Sequence, residues 1–369
     1  MNLLEIPAQD FDLPKTLDSG QVFHWEKVGR GFLGAIGDYP VYAEQGNNVL
    51  RVRRGATPRP ARETRALPRI VAEYFALDHP LAEICASFPD DPIMTAAQNF
   101  CGGLRIIRQP KWECLATFIC SSMKQVAHIR QISKALRERF GVARSLLRVR
   151  PVADNIDPPK NGFAAANNYV VHVFPSARRL ANSSENELRE CGLGYRAKNL
   201  LATARLVSSG EADLEAWSAL SDLDLQAKLC ELPGVGAKVA NCVMLFAYER
   251  LRAFPIDVWI ERVLRQQYFP RARKLNSQRL RKFCESHFGE HGGYAQQYLF
   301  HYARTALRKS GGSKVSSTPL RSARNNKRND GRMGGNKSIS MSKRKNKSKS
   351  RSENGTTSAA QVVSAPGLR

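Results

Sequence analysis

Along the first hundred residues the apolar positions come in short alternating runs broken by turn residues. Residues 21–27, 31–36, 39–44 and 49–52 read as strands, with Gly29-Arg30, Gly37-Asp38 and Gly46-Asn47-Asn48 as the turns between them, so an antiparallel sheet is expected. Two helical pieces, 67–77 and 80–88, follow. From Asp91 to Leu307 the spacing turns almost wholly helical, most clearly over 112–121, 126–140, 185–190, 198–208, 223–230, 237–248, 258–267 and 293–308. Residues 150–174 hold several prolines and asparagines and read as a long surface connection. After Ser310 the chain mixes Lys, Arg, Ser, Asn and Gly with almost no large apolar residue, a composition that cannot build a core. The expected fold class is therefore α+β: a mostly helical body with a small N-terminal antiparallel sheet domain and a disordered basic tail. The expected divisions are 1–100, 101–308 and 309–369.

Composition and charge narrow the partner. A chain of 369 residues that is 42% hydrophobic can fill two or three cores. Its formal charge of +24 exceeds what solubility needs, so the expected partner is a polyanion, nucleic acid before an anionic membrane surface. From Lys309 onward there are 15 Lys and Arg against two acids, which leaves a net of +11 for residues 1–308. The body is basic without its tail. The eight cysteines are scattered with no C-x-x-C spacing, so neither a zinc site nor a cysteine-held cluster is expected. Glu5 and Asp10 interrupt any secretory apolar region and no run reaches membrane-spanning length. An intracellular, DNA-associated location with reduced thiols is the expectation, without a membrane partner.

The chemistry concentrates between Leu232 and Asp257. Two helical segments flank Leu232-Pro233-Gly234-Val235-Gly236, a helix-hairpin-helix pattern whose N–H groups can bind a DNA phosphate without any side chain. An isolated P-G-x-G would read equally as a plain helical corner with a glycine cap. Two residues past the hairpin stands Lys238, on a first helical turn, where the dipole and burial both favour the neutral amine. Such an amine can attack a sugar C1′ carbon, expel the base and form a Schiff base that permits strand cleavage by β-elimination. Asp257 precedes the next amphipathic segment; it reads as a helix N-cap, a role compatible with stabilising an oxocarbenium-like transition state.

The run from Leu232 through Lys238 with Pro255-Ile256-Asp257-Val258 resembles the helix-hairpin-helix, Gly/Pro-rich loop, Asp superfamily of base excision glycosylases, and a lysine after the hairpin marks its bifunctional members. The resemblance extends to Asp18–Trp25, Phe118–Ser122, Leu193–Ala197 and Gly293–Phe300, which together are similar to 8-oxoguanine DNA glycosylase of the eukaryotic type over most of residues 1–308. It implies a base excision repair enzyme that flips an oxidised guanine, and also ring-opened guanine, out of double-stranded DNA. It implies Lys238 as nucleophile and Asp257 as catalytic carboxylate, with no metal or organic cofactor, and action as a monomer. The Gly20 carbonyl would accept from the N7–H that oxidised guanine carries where guanine has an acceptor. Gln296 would bond the base edge, Phe300 and Cys242 would sandwich its ring, and Phe246 would line the pocket. Gly234, Val235 and Gly236 would hold phosphate, Tyr195 would wedge the stack, and Arg196 would face the opposite base.

Several residues depart from the family pattern. Asparagines usual after the paired serines are replaced by Met123-Lys124-Gln125, and His128 stands where an arginine is usual. Met123 can fill the gap left by the flipped base but cannot bond the orphaned cytosine, so the preference for cytosine does not carry over. Trp259 replaces a phosphate-binding histidine and Phe246 a smaller wall residue, which implies a tighter pocket. Two other readings compete: a glycosylase of the same superfamily for other damaged purines, and a noncatalytic DNA-binding module. Lys238 argues against a simple alkyl-purine hydrolase, and a module that only grips phosphate needs neither Lys238 nor Asp257. For the tail, deletion of residues 310–369 should weaken DNA binding and flatten its salt dependence while single-turnover cleavage stays nearly intact; an unchanged salt slope would refute this.

Overall fold

The computed structural model describes residues 3–54, 61–147 and 168–307. The tail expected from residue 309 and most of the connection expected over 150–174 lie outside them. All the described residues belong to one compact unit.

The N-terminal sheet has five antiparallel strands, β1 (Leu4–Pro7), β2 (Glu26–Val28), β3 (Gly31–Ile36), β4 (Tyr39–Gly46) and β5 (Val49–Arg54), in the order β1-β5-β4-β3-β2. Strand β3 has the expected bounds. Gly46 pairs with Val49 across a two-residue turn, and Asn47 and Asn48 take φ of 49° and 58°, the left-handed pair that a tight hairpin needs. Phe32, Val41, Ala43, Leu50 and Val52 point to one face and, with Trp25, Leu67, Val71 and Phe75, make the sheet core. Strand β1 gave no sequence signal because Ile6 is its only buried residue.

The strands differ from expectation in two places. The strand expected over 21–27 shrinks to Glu26–Val28, because the buried Gln21 side chain bonds main-chain groups elsewhere: its amide donates to Thr16 O (3.1 Å) and Arg105 O (2.8 Å), and its oxygen accepts from Ile107 N (2.7 Å). The expected connection over 150–174 ends in a strand. Strand β7 (Asn168–His172) pairs with β6 (Ala143–Leu147), and Tyr169 and Val171 pack with Leu146, Leu33 and Tyr42 on the second face of the five-stranded sheet. A two-stranded ribbon is marginal alone and needs that support.

The rest is helical as expected. In the helices Lys111–Cys120 and Gly292–Tyr302 almost every residue is buried, so they form the middle of the helical core. The helix Val126–Phe140 has the expected bounds. The segments expected as single helices over 258–267 and 293–308 instead end in π-helical turns, Leu264–Tyr268 and Ala303–Leu307, within which side chains take directions that a continued α-helix would not give them.

The sheet core and the helical core meet along a seam where each lends the other a residue. Phe23 belongs to the helical core and meets Phe118 edge-on at 5.9 Å, while Ile107 belongs to the sheet core. Beside them lies a buried charge cluster. Glu113 accepts from the Arg137 guanidinium and stands 3.3 Å from His24 Nδ1, while Arg137 donates to His172 O at 3.2 Å. Burial pushes Glu113 up against the pull of Arg137; burial and Arg137 together hold His24 well below its ordinary value. Neutral His24 favours the fold above the ordinary histidine range, and that contribution is lost as pH falls through it. Glu113→Ala leaves Arg137 buried without its anion and should cost about 3–5 kcal/mol. The double change Glu113→Leu with Arg137→Met should cost far less, as compared by denaturant midpoints; equal losses would contradict the buried-pair account.

Candidate active site

The helices Asp222–Glu231 and Ala237–Ala247 are joined by the tight turn of residues 232–236. Gly234 has φ +81°, and a Cβ there would lie 2.8 Å from Asn199 Cβ, so both conformation and space require glycine. Thr203 Oγ1 donates to Pro233 O at 3.0 Å and the buried Val235 donates its N–H to Leu232 O at 3.1 Å, which fixes the turn from behind. Gly236 caps the second helix without a side chain, leaving its first N–H groups facing outward for an anion.

Lys238 follows on the first turn, half-buried. Its Nζ lies 5.3 Å from the centre of the Phe118 ring and 3.4 Å from Ser121 Oγ, which spends its own proton on Phe118 O at 2.7 Å and so accepts from the lysine. Phe246 stacks on Phe118 at 5.5 Å. One turn further, burial pushes the Cys242 thiol up, Lys238 pulls it down and Asp257 pushes it up, so the two charges meet at this sulfur. Asp257 caps the helix Val258–Val263, accepting from Ile260 N at 2.9 Å, the N-cap role its position predicted. Burial raises its carboxyl above the ordinary range, against the Ile260 N–H, Lys238, the Trp259 N–H and Arg304.

Gly20 faces this pair from the sheet side. Its φ is +88°, and a Cβ there would lie 3.0 Å from the Phe300 ring edge and 3.1 Å from an Arg304 guanidinium nitrogen. Gln296, one helical turn before Phe300, is buried and its side-chain oxygen has no partner, a state that costs about 1–3 kcal/mol unless something else supplies a donor. The structure thus brings Gly20, Gln296, Phe300, Cys242, Lys238 and Asp257 toward one place, with Phe246 behind Phe118.

A second group forms an exposed rim. Met123 has φ +55° and is 79% exposed; Tyr195 is 58% exposed. Arg196, expected to face the opposite base, is buried between them: its guanidinium donates to Ser122 O (2.7 Å) and Leu193 O (3.2 Å) and stacks 4.4 Å from the Tyr195 ring centre. His128 is exposed near the start of its helix.

Residues 3–115 match the 8-oxoguanine DNA glycosylase N-terminal domain, and residues 116–286 match the HhH-GPD superfamily of base excision DNA repair proteins. The chain belongs to the 8-oxoguanine DNA glycosylase family. An N-glycosylase/DNA lyase of Arabidopsis thaliana is 29% identical over 310 residues, spanning 80% of this chain and 78% of the plant protein. A probable N-glycosylase/DNA lyase of Methanothermobacter thermautotrophicus is 28% identical over 82% of this chain and 96% of its own length. The solved Clostridium acetobutylicum 8-oxoguanine glycosylase/lyase, in complex with double-stranded DNA holding cytosine opposite 8-oxoguanine, is 26% identical with a TM-score of 0.67, covering 82% of this chain and 99% of that one.

Within this family frame, several contributors had no individual sequence signal. Gln297 donates to Ser19 O at 3.0 Å and Gln109 to Gln21 O at 2.7 Å, so buried carboxamides hold the main chain on both sides of Gly20. Arg304 donates to Asp18 O. From Arg262 to Lys282 the chain holds eight Lys or Arg and no acid, most of them exposed, a surface that follows directly on the Asp257 helix. Among the described residues no cluster of His, Cys, Asp and Glu could hold a metal, all eight cysteines are free, and no helix is long and apolar enough to cross a membrane.

The raised Asp257 carboxyl sets a pH dependence. Its ionised form is lost as pH falls through that raised value, so single-turnover base release should decline at a higher pH than a free aspartate dictates. Asp257→Asn keeps a helix-capping oxygen for Ile260 and should lower the rate on the order of 10²–10³-fold and remove this acid limb. A limb that persists in the variant would assign it to another group.

Proposed function

We propose that the chain excises 8-oxoguanine from duplex DNA and cleaves the resulting abasic strand through a Schiff base on Lys238. The observation that carries this is the lysine on the first turn after the hairpin, with a half-buried, helix-capping Asp257 near it, in a chain of this family. The neutral amine attacks C1′ and the glycosidic bond breaks with its electron pair leaving on the base, which takes up a proton; the C1′–O4′ bond then breaks with its pair on O4′, which is protonated as the nitrogen loses its protons, and the opened sugar carries an imine to Lys238. Asp257 stabilises the positive charge that develops on the sugar. The imine then acidifies the C2′ proton, and its loss expels the 3′ phosphate.

Recognition follows from the pocket. The Gly20 carbonyl accepts from N7–H, the unpartnered Gln296 oxygen accepts from the N–H groups of the base edge, and Phe300 and Cys242 take the two ring faces. Phe246, stacked on Phe118, narrows the wall. The hairpin of Gly234, Val235 and Gly236 grips phosphate through the free N–H groups of the helix that Gly236 caps, and Val235 serves by packing. The basic strip after Asp257 and the tail attract duplex nonspecifically. Met123 enters the gap left by the base and Tyr195 wedges beside it, while Arg196 positions both by holding Ser122. His128 faces the duplex with a weaker hand than the usual arginine. A monomer suffices, because every group named lies on one chain, and the working compartment is intracellular.

Borohydride trapping on duplexes holding 8-oxoguanine opposite each of the four bases tests this reading. Wild type should give a covalent adduct that Lys238→Gln abolishes, with less discrimination among opposite bases than asparagines would give at this rim. An adduct on abasic sites alone would redirect the substrate to other damaged purines; none on either would leave a noncatalytic DNA binder.

A further inference from the structure

We infer that Arg304 reads the oxygen at C8 of the flipped base, a specificity contact that completes the one made by Gly20. This rests on the 8-oxoguanine reading above. Oxidation changes guanine at two adjacent atoms: N7 turns from acceptor to N–H donor, and C8 gains a carbonyl acceptor. A backbone carbonyl can test only the first. The second needs a donor placed beside Gly20, and the structure has one.

The Arg304 guanidinium lies 5.3 Å from the Phe300 ring centre, and its Nη1 stands 3.1 Å from where a Cβ on Gly20 would be. Its Nη2 is anchored on Asp18 O, two residues before Gly20. The planar fork is thus tied by one arm to the loop that carries the lesion-reading glycine, with the other arm beside that glycine. The turn Ala303–Leu307 is π-helical, which gives Arg304 a direction different from that of a continued α-helix.

Its charge is also undercompensated. Burial and the neighbouring Arg130 weaken its hold on a proton, against the opposing pull of Asp18 and Asp257. Arg130 itself is taken up by the Asp18 carboxylate at 2.8 Å. A half-buried cation bonded to a main-chain oxygen gains from a further acceptor, and the C8 carbonyl of a base stacked on Phe300 is one. A guanine in the same place would present a C8–H to the cation and leave it unpaired.

The probe is a pair of lesions that share N7–H and differ at C8: 8-oxoguanine and 8-thioguanine, whose sulfur is a weak acceptor. Wild type is measured first, by single-turnover base release on both. Arg304→Met keeps length and packing on Phe300 and removes the donors. It should slow release of 8-oxoguanine by about 10- to 100-fold, the range for a lost charge-assisted hydrogen bond, while the 8-thioguanine rate changes little. The preference for oxygen then collapses through loss of the oxo rate. Equal loss on both lesions would overturn the proposal and assign Arg304 to phosphate or to the loop alone, and no loss on either would overturn it as well. Thermal unfolding of the variant, with Arg304→Gln as a neutral donor if the methionine does not fold, separates contact from stability. A wild type that releases neither lesion yet is trapped on abasic DNA would sink the substrate reading itself, a failure distinct from that of Arg304.

Discussion

Three buried carboxamides hold the molecule's two halves in register. Gln21, Gln109 and Gln297 each use a side chain to satisfy main-chain groups across the seam, and between them they fix the carbonyls of Ser19 and Gln21 on either side of Gly20. Buried polar atoms of this kind are expensive when unpaired, so the network tolerates little sliding. Its effect is local and functional at once: a glycine from the sheet side stands at a fixed place against a helix of the other core. The Phe23 and Ile107 exchange and the Glu113 cluster add packing and charge to the same seam.

Within the pocket, satisfied and unsatisfied groups divide sharply. Asp257 caps a helix and Lys238 rests on Ser121 and Phe118, so the proposed reacting groups are held by the fold itself. Gln296 and Arg304 keep unspent capacity, an acceptor on one and a donor on the other. At the rim Met123 stands exposed in a left-handed conformation, with Arg196 bonded to the residue before it. Strain and exposure concentrate where a base pair must be opened, the pattern expected where function takes precedence over local stability.

The substituted rim distinguishes this chain from its family pattern. On the proposed reading, methionine and lysine in place of asparagines exchange hydrogen bonds for an apolar wedge and an exposed cation, which favour opening the helix over reading the orphaned base. At the proposed base site Phe246 stacks on Phe118 and the Arg304 guanidinium lies against the Phe300 ring.

Sequence by itself determined the sheet followed by helices, the hairpin, the lysine one residue into its helix and the aspartate at the start of another. Those features depend on neighbours in the chain: alternation, helical period, turn glycines and caps act over a few residues and leave a local record. Strand β1, strand β7 and the shortened β2 left none, because their pairing and termination depend on partners tens of residues away. The same holds for the site. Lys238 and Asp257 could be read from local pattern, and the family resemblance supplied Gly20, Gln296, Phe300 and Cys242. Only the tertiary structure turned Arg196 inward, left the Gln296 oxygen without a partner and set Arg304 beside Gly20, since burial and long-range hydrogen bonding are properties of the assembled seam, which no window along the chain contains.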